Sequence, residues 1–535
     1  MVKPVFSYML PEVKHAFILN ISLSIQAQPH QRGALFLMSS QNGHKLVLYP
    51  LAEEMVVDHL TPISVMYALS ERHPTLLESV ENGSVWARYS YLAFDPILTW
   101  KSTAQGAALQ ADLSGWLKRW RVERLDDFLT PQLISPLIGG AIGAIAFEGA
   151  TGALDEDQPT AQFFLPRYLL IFDHGKQRLW LLTYLVREEG SRPAPDDVDT
   201  VEARRALETL RQSILSSAPP PALTLSAHQF GEESRSYDLY HHVHANMTKE
   251  AFMSAVAAIQ QAIVQGQAEQ IVLSQRFSRA FQGDVLTVYR YLRALNPSPY
   301  MYVLDLDDNI YVGSSPEVLL KVTAGKMVTR PIAGTRPRGK NDEEDAAYVA
   351  DLLNDPKERN EHDQLLALAR SDFEKIAQPG SIRVGSYMAL EKYSHVMHLV
   401  SHVEAMLDPA YSSLDALFHL FPAGTVSGAP RDTAYMYIKQ YEPEPRGVYG
   451  GAIGWINPDG DMDFAIAIRT IHFVHTGRRT DAVDTPPLTA YIQAGAGIVD
   501  ASQPEREYEE TRNKARALLV ALRLAEKERE QCVHI

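Results

Sequence analysis

Tyr491–Thr511 reads YIQAGAGIVDASQPEREYEET. It passes from a strand pattern through a glycine-rich AGAG into a helix that starts at Pro504, and strand, exposed backbone and charged helix therefore meet at one place. Gly495 and Gly497 carry no Cβ, so an anion can approach their N–H groups, although a tight structural turn would use the same glycines. Beyond Pro504, Glu507 and Glu510 stand three positions apart and share a helical face.

A second helix-like stretch about 150 residues upstream, KERNEH (Lys357–His362), repeats the spacing with Glu358 and Glu361. Four carboxylates converging from distant parts of a chain repel one another unless a cation lies between them, and a hard dication with oxygen ligands, magnesium, suits them. The same glutamates, flanked by Lys357, Arg359 and Arg506, also suit a salt-bridged helix surface.

Working outward, QIVLSQRF (Gln270–Phe277), YMYVLDL (Tyr300–Leu306), NIYVGSSPEVLLKV (Asn309–Val322) and FAIAIRTIHFV (Phe464–Val474) read as strands. Among them lie a helix capped by Thr248 with Phe252, Val256, Ile259 and Ile263 on its apolar face, and a long helix over Glu343–Gln378. Strands and helices mix without strict alternation, so the fold class is α+β, with largely antiparallel sheets packed face to face and helices outside. This larger unit spans 246–525. Residues 46–190, with strands Arg167–Asp173 and Arg178–Val186, form a smaller N-terminal unit interleaved with it. Residues 191–245 read as a connector with one helix, Val201–Leu215, and the run Pro219–Pro221. Residues 1–45 have no assigned role beyond one strand over Leu19–Ile25. The phrase GGAIG occurs at Gly139 and again at Gly450, a likeness that two Ala/Gly-rich strand ends can also reach independently.

The 535 residues carry a net charge of −15, 46% hydrophobic and 21% charged side chains. That balance is ordinary for a globular protein, and it argues against nucleic acid or an anionic membrane as the main partner. The one cysteine, Cys532, allows no intrachain disulfide and no cysteine zinc site, which fits a reducing cytoplasm. The most apolar stretch, Leu133–Phe147, is too short and glycine-rich to span a bilayer and reads as buried strand and turn. The N-terminus shows no secretory pattern.

Arg469 interrupts the apolar AIAI-R-TI, and a charge placed there needs a carboxylate partner, from protein or ligand. PIAGTRPRG (Pro331–Gly339), FPAGTVSGAPR (Phe421–Arg431), RGVYGGAIGW (Arg446–Trp455), AIAIRT (Ala465–Thr470) and Tyr491–Thr511 together resemble the chorismate-utilising enzymes, and within them the large subunits of anthranilate synthases. The resemblance covers residues 248 to about 520 strongly and 50–190 more loosely.

It implies a lyase that converts chorismate and ammonia to anthranilate and pyruvate through aminodeoxyisochorismate, the first step of tryptophan biosynthesis. Arg469, Tyr449 and the amides of Gly495, Ala496 and Gly497 would hold the enolpyruvyl carboxylate, with Ala333, Gly334 and Thr335 also at the substrate. Magnesium would be held chiefly by Glu361 and Glu510, with Glu358 and Glu507 in support, directly or through water. Glu317, in SSPEVLL, occupies the position of the general acid, although its local sequence fits a surface turn equally well. His398, one of three histidines with His395 and His402 on an apolar stretch, and Thr425 would lie in the same site.

Two positions narrow the nucleophile. Water-adding relatives use a lysine where this chain has Gln270, and glutamine cannot act as a base toward water. Aminodeoxychorismate synthases carry a nucleophilic lysine where this chain has Ala333. Both positions favour direct attack by ammonia; an enzyme that stops at aminodeoxychorismate or aminodeoxyisochorismate, and a non-catalytic effector-binding homologue, are the other readings. The chain lacks a G-x-C-x-G nucleophile, so the resemblance implies a separate glutamine amidotransferase subunit and a heterotetramer of two large and two small subunits. Finally, LLES (Leu76–Ser79) and NPSPYM (Asn296–Met301) match the segments that bind the feedback inhibitor tryptophan in the family, which places Glu78, Ser79, Pro299, Tyr300 and Met301 at an effector site.

Overall fold

The computed structural model describes residues 45–79, 88–129, 133, 135–151, 158–223, 237–392, 396–475 and 488–533, and the strand expected over Leu19–Ile25 and the side chain of His395 lie outside them. Leu488–Ile498 pairs with Gln270–Phe281 along its whole length, Gly495 opposite Ser274 and Gly497 opposite Val272. Its other edge pairs with Thr470–His475, and the sheet continues through Asn309–Ser315, Tyr300–Leu306 and Thr75–Glu78. From there it runs through Tyr89–Ser102 and Ala161–Asp173 to Arg178–Glu188 and Leu46–Val56.

A second run leaves Ala161–Asp173 through Ala141–Ile145, Ala452–Ile456, Met462–Ile466, Val318–Thr323 and Lys326–Thr329 to Val396–Met406. Among the described residues the one parallel pairing joins Leu46–Val56 to Trp120–Val122; the rest are antiparallel. The two runs face each other across one core, in which Tyr302 and Leu304 of the first meet Leu320, Met462 and Phe464 of the second. The outer face of the first run is covered by the helices Val285–Leu295 and Pro504–Val533, whose Tyr289, Leu292, Leu518 and Leu522 pack on Val303, Ile471 and Phe473. Burying each such aliphatic side chain contributes about 1.5–3 kcal/mol, so this helical cover stabilises the sheet that carries AGAG.

The α+β class with antiparallel sheets and outer helices is what the structure shows. The N-terminal segment is threaded into the larger one: Glu78 pairs with Met301 and Ile142 with Trp455, and both large cores draw on residues from both segments. The two GGAIG phrases turn out to be neighbours, with Gly143 directly opposite Gly454 on adjacent strands. A Cβ at Gly143 would lie 2.1 Å from the Gln162 carbonyl oxygen, and one at Gly454 2.1 Å from that of Asp463, so this crossing tolerates only glycine.

The long helix expected over Glu343–Gln378 is instead two, Asp342–Asn354 and Pro356–Glu374. Pro356 disfavours helical backbone in the residue before it, and Asp355 is extended at ψ 111°. The connector helix runs Val198–Ser216, and Thr248 caps its helix by accepting from Ala251 N–H at 3.1 Å.

Candidate active site

Glu317 lies in the short link between the strands Asn309–Ser315 and Val318–Thr323. Its carbonyl oxygen accepts from Ile466 N–H at 3.0 Å, and Ser315 Oγ donates to the Ile466 carbonyl at 2.7 Å, so the link is pinned on both sides. Protein surrounds the carboxyl although the residue keeps some accessible surface, as a side chain lining an interior cleft does. Burial pushes its pKa up to about 7, against the opposing pull of the Thr425 hydroxyl and the Lys514 ammonium. Thr425 Oγ1 stands near Glu317 but outside hydrogen-bond geometry, a buried hydroxyl with no partner among the described residues.

Arg469 sits at the break between Met462–Ile466 and Thr470–His475 with φ +51°, a backbone conformation costly for any residue with a Cβ. Burial lowers its pKa, and Tyr449 and Glu510 act in the opposite sense. Tyr449, pushed up to about 12 by burial, approaches the glycine turn so closely that a Cβ at Gly495 would lie 2.7 Å from its hydroxyl. A Cβ at Gly497 would lie 2.3 Å from Gln270 Nε2. Ala496 between them turns its methyl into a separate apolar core with Phe252 and Ile271, so it can offer a ligand only its backbone.

His398 stands opposite Thr335, its Nδ1 3.0 Å from Thr335 Oγ1 and 3.1 Å from the Gly334 carbonyl oxygen. Burial lowers its pKa, the Gly334 bond opposes this, and Arg469 pushes it lower. The ring is therefore neutral at physiological pH. Gly334, at φ +72°, makes the irregularity that aims its carbonyl at the ring. Ala333 is buried opposite Leu399, and Thr335 is exposed.

The four glutamates do not meet as a preformed cage: among the described residues no three His, Cys, Asp or Glu side chains gather as metal ligands. Glu358 accepts from Arg336 at 3.0 Å, and Glu510 pairs with Lys514 at 2.7 Å. Both nevertheless border the cleft. Glu358 packs at the Gly334 bulge, where a Cβ would lie 3.4 Å from its Oε2, and Glu510 acts on Arg469. Their hard carboxylate oxygens suit magnesium, and ligation by Glu510 requires Lys514 to yield its place. Glu361 and Glu507, half-buried, each have a polar partner in the protein.

Sequence reasoning missed Lys514, whose ammonium reaches both Glu510 and, at 2.9 Å, the Gly495 carbonyl oxygen. Its spacing four residues after Glu510 on one helix was the available signal. The support behind Tyr449 was also missed. Arg446, 3% exposed, pairs with Glu442 at 2.6 Å, Glu442 holds Ser274 N–H at 2.8 Å, and Glu148 accepts from the backbone N–H groups of Arg446 at 2.6 Å and Gly447 at 3.0 Å.

A separate cavity of about 760 Å³ gathers Glu78, Ser79, Pro299, Tyr300 and Met301, with Leu77, Tyr91 and Trp455 among its apolar walls. Glu78 is held there by Tyr289 at 2.6 Å and Arg293 at 3.1 Å, two residues absent from the sequence reading. Ser79 Oγ is buried with no hydrogen-bond partner among the described residues.

A carboxyl whose pKa is raised to about 7, a buried arginine, a glycine-rich strand end and neighbouring glutamates gather here, the make-up of an enzyme active site. Residues 76–520 match the family model described as chorismate binding enzyme, and the chain belongs to that family. It is 37% identical to anthranilate synthase component 1 of Aquifex aeolicus, over 90% of this chain and 96% of that one. It is 36% identical to that of Bacillus subtilis strain 168, over 92% and 95%. Among solved structures, anthranilate synthase component I from Streptococcus pneumoniae TIGR4 superposes with a TM-score of 0.63 at 32% identity, over 87% of this chain and 99% of that one. The menaquinone-specific isochorismate synthase of Escherichia coli shares the fold, with a TM-score of 0.63 at 19% identity over 92% of this chain and 100% of that one. Among the described residues no helix is long and apolar enough to cross a membrane.

Proposed function

We propose that the chain converts chorismate and ammonia to anthranilate and pyruvate, a lyase reaction that opens tryptophan biosynthesis. The observation that carries this reading is the Glu317 carboxyl, its pKa raised to about 7 by burial; two sequence positions, Gln270 and Ala333, that offer no ionisable nucleophile or base support it. Ammonia comes from glutamine through a separate amidotransferase subunit, in a cytoplasmic heterotetramer of two large and two small chains.

Arg469, Tyr449 and the amides of Gly495–Gly497 hold the enolpyruvyl carboxylate, and Thr425 supplies its unpartnered hydroxyl to the substrate. The ammonia lone pair forms a bond to the ring carbon beside the carboxylate, the diene shifts, and the far C–O bond breaks. Glu317 gives the departing hydroxyl its proton, so that water leaves; the new ammonium sheds its extra proton to solvent, from which Glu317 is reprotonated, and aminodeoxyisochorismate remains. Aromatisation then removes the proton from the amine-bearing carbon and breaks the ether bond; the enolpyruvate takes up a proton to become pyruvate. His398 is suited to accept that ring proton, because its Nδ1–H donates to the Gly334 carbonyl and leaves a neutral Nε2 lone pair. Magnesium, when bound, neutralises the ring carboxylate; Glu361 and Glu510 would hold it, with Glu358 and Glu507 in support directly or through water.

Tryptophan is the proposed occupant of the cavity at Ser79: its unpartnered hydroxyl, the anchored Glu78 carboxylate and the Pro299–Tyr300–Met301 wall offer polar groups and an apolar slot. Ser79→Leu is expected to raise the tryptophan concentration for half-inhibition at least tenfold; unchanged sensitivity would remove the assignment. The function is tested by incubating the pure chain with chorismate, magnesium and an ammonium salt. Anthranilate fluorescence is expected with ammonium and not with glutamine; an accumulating aminated intermediate as sole product would overturn the reading.

A further inference from the structure

The effector cavity and the active site share a wall one residue thick. Pro316 and Val318 line the cavity, whereas Glu317 between them turns to Thr425 and Lys514 on the opposite side. Extended chain sends successive side chains to opposite faces, so an object pressing on Pro316 and Val318 presses on the backbone that aims Glu317. That backbone is held in the plane of its neighbouring strand by Ile466 N–H at 3.0 Å, and the pairing of Val318–Thr323 with Met462–Ile466 has a register irregularity between Val318 and Leu320. Irregularities of this kind are where a strand can re-aim a side chain.

The same arrangement recurs at the carboxylate clamp. Tyr302 lines the cavity, and its hydroxyl lies 2.6 Å from Thr470 Oγ1, next in sequence to Arg469. The Arg469 carbonyl oxygen in turn accepts from Ser314 N–H at 3.1 Å. Acid and clamp are thereby tied into one backbone unit whose reverse side is the cavity.

We propose that Pro316 and Val318 are positioning residues for Glu317, and that a molecule in the cavity controls the reaction by shifting the Ser315–Val318 link and the acid it carries. This rests on the readings of Glu317 as proton donor and of tryptophan as occupant. Displacing a reacting group by about 1 Å can cost on the order of 100-fold in rate, so a small shift of the link is enough.

The link can be tested without an effector. In the full chain supplied with ammonium, Val318→Leu adds one methylene to the cavity side of the wall. It is expected to lower kcat at least fivefold, leave KM for chorismate within twofold, and move the alkaline limb of the kcat–pH profile. Thr323→Leu enlarges the same wall five residues further on and is expected to change kcat less than twofold. Unchanged kcat and pH limb in Val318→Leu, or equal losses in both variants, overturn the proposal. Pro316→Ala supplies a second measurement: tryptophan binding by equilibrium dialysis is retained while maximal inhibition falls by at least half, and full inhibition at unchanged binding overturns the proposal. A wild-type chain that binds no tryptophan removes the occupant, and the Val318→Leu result then decides the wall by itself.

Discussion

The backbone N–H of Ile466 donates to the carbonyl oxygen of Glu317 at 3.0 Å, three residues before Arg469. One hydrogen bond thus ties the proposed proton donor to the strand that delivers the proposed carboxylate clamp. Neither side chain has an independent position, and changes at one should be felt at the other.

Glu317→Gln is expected to lower kcat/KM by about 100-fold or more, the usual scale for removing a positioned acid. With Glu317 titrating near 7, wild-type turnover at fixed free ammonia should fall as pH rises through that value, and the variant should lose this limb. The same shift affects stability. Between the ordinary carboxylate range and about 7 the folded chain binds a proton that the unfolded chain has lost, so wild-type stability declines as pH rises through this window and levels off above it. The melting temperature of Glu317→Gln relative to wild type should therefore climb from pH 4.5 to 7 and then stay constant.

Lys514→Met removes the cation that lowers the pKa of Glu317 and bridges Glu510 to the Gly495 carbonyl. The alkaline limb of the rate profile should move to higher pH, while kcat/KM falls about tenfold through the loosened glycine turn, an effect of about 1.4 kcal/mol. A limb that moves to lower pH would contradict the assignment of Glu317.

Gly497→Ala places a methyl where Gln270 Nε2 now stands, and Gly495→Ala meets the Tyr449 hydroxyl and, at 3.1 Å, the Leu273 carbonyl oxygen. Steady-state assays should show KM for chorismate raised at least tenfold in both. Gly495→Ala should also lower the melting temperature by a few degrees, because the backbone it meets cannot give way as the Gln270 side chain can.

Chelation should abolish turnover and added magnesium restore it. Glu361→Gln and Glu510→Gln should each raise the magnesium concentration for half-maximal rate at least tenfold, read from metal titrations at saturating chorismate. Glu358→Gln should have a smaller effect on magnesium, since its carboxylate already answers to Arg336 at 3.0 Å.

Much of the fold was legible because its signals are local. Thr248 announces a cap, and Pro504 announces the start of the last helix. The single long helix over Glu343–Gln378 went wrong at a local signal passed over, Pro356, and the break it makes is what brings Glu358 to the Gly334 bulge. The recurrence of GGAIG was readable as a pattern, but its meaning, Gly143 facing Gly454 where two strand runs join, depends on residues more than 300 apart.

By itself the sequence determined the class of fold, the antiparallel strand patterns and the family resemblance, since each rests on residue type and short spacing. Only the tertiary structure decided what the site residues are. Burial, a property of the whole packed chain, sets the Glu317 proton and the neutrality of His398. Long-range pairing likewise places Lys514 at the glycine turn, occupies Glu78 with Tyr289 and Arg293, and sets Pro316 and Val318 on the far side of the wall from the acid. Hydration and charge energies change with surroundings that no neighbouring residue supplies, and that is why chemistry emerged here only after folding.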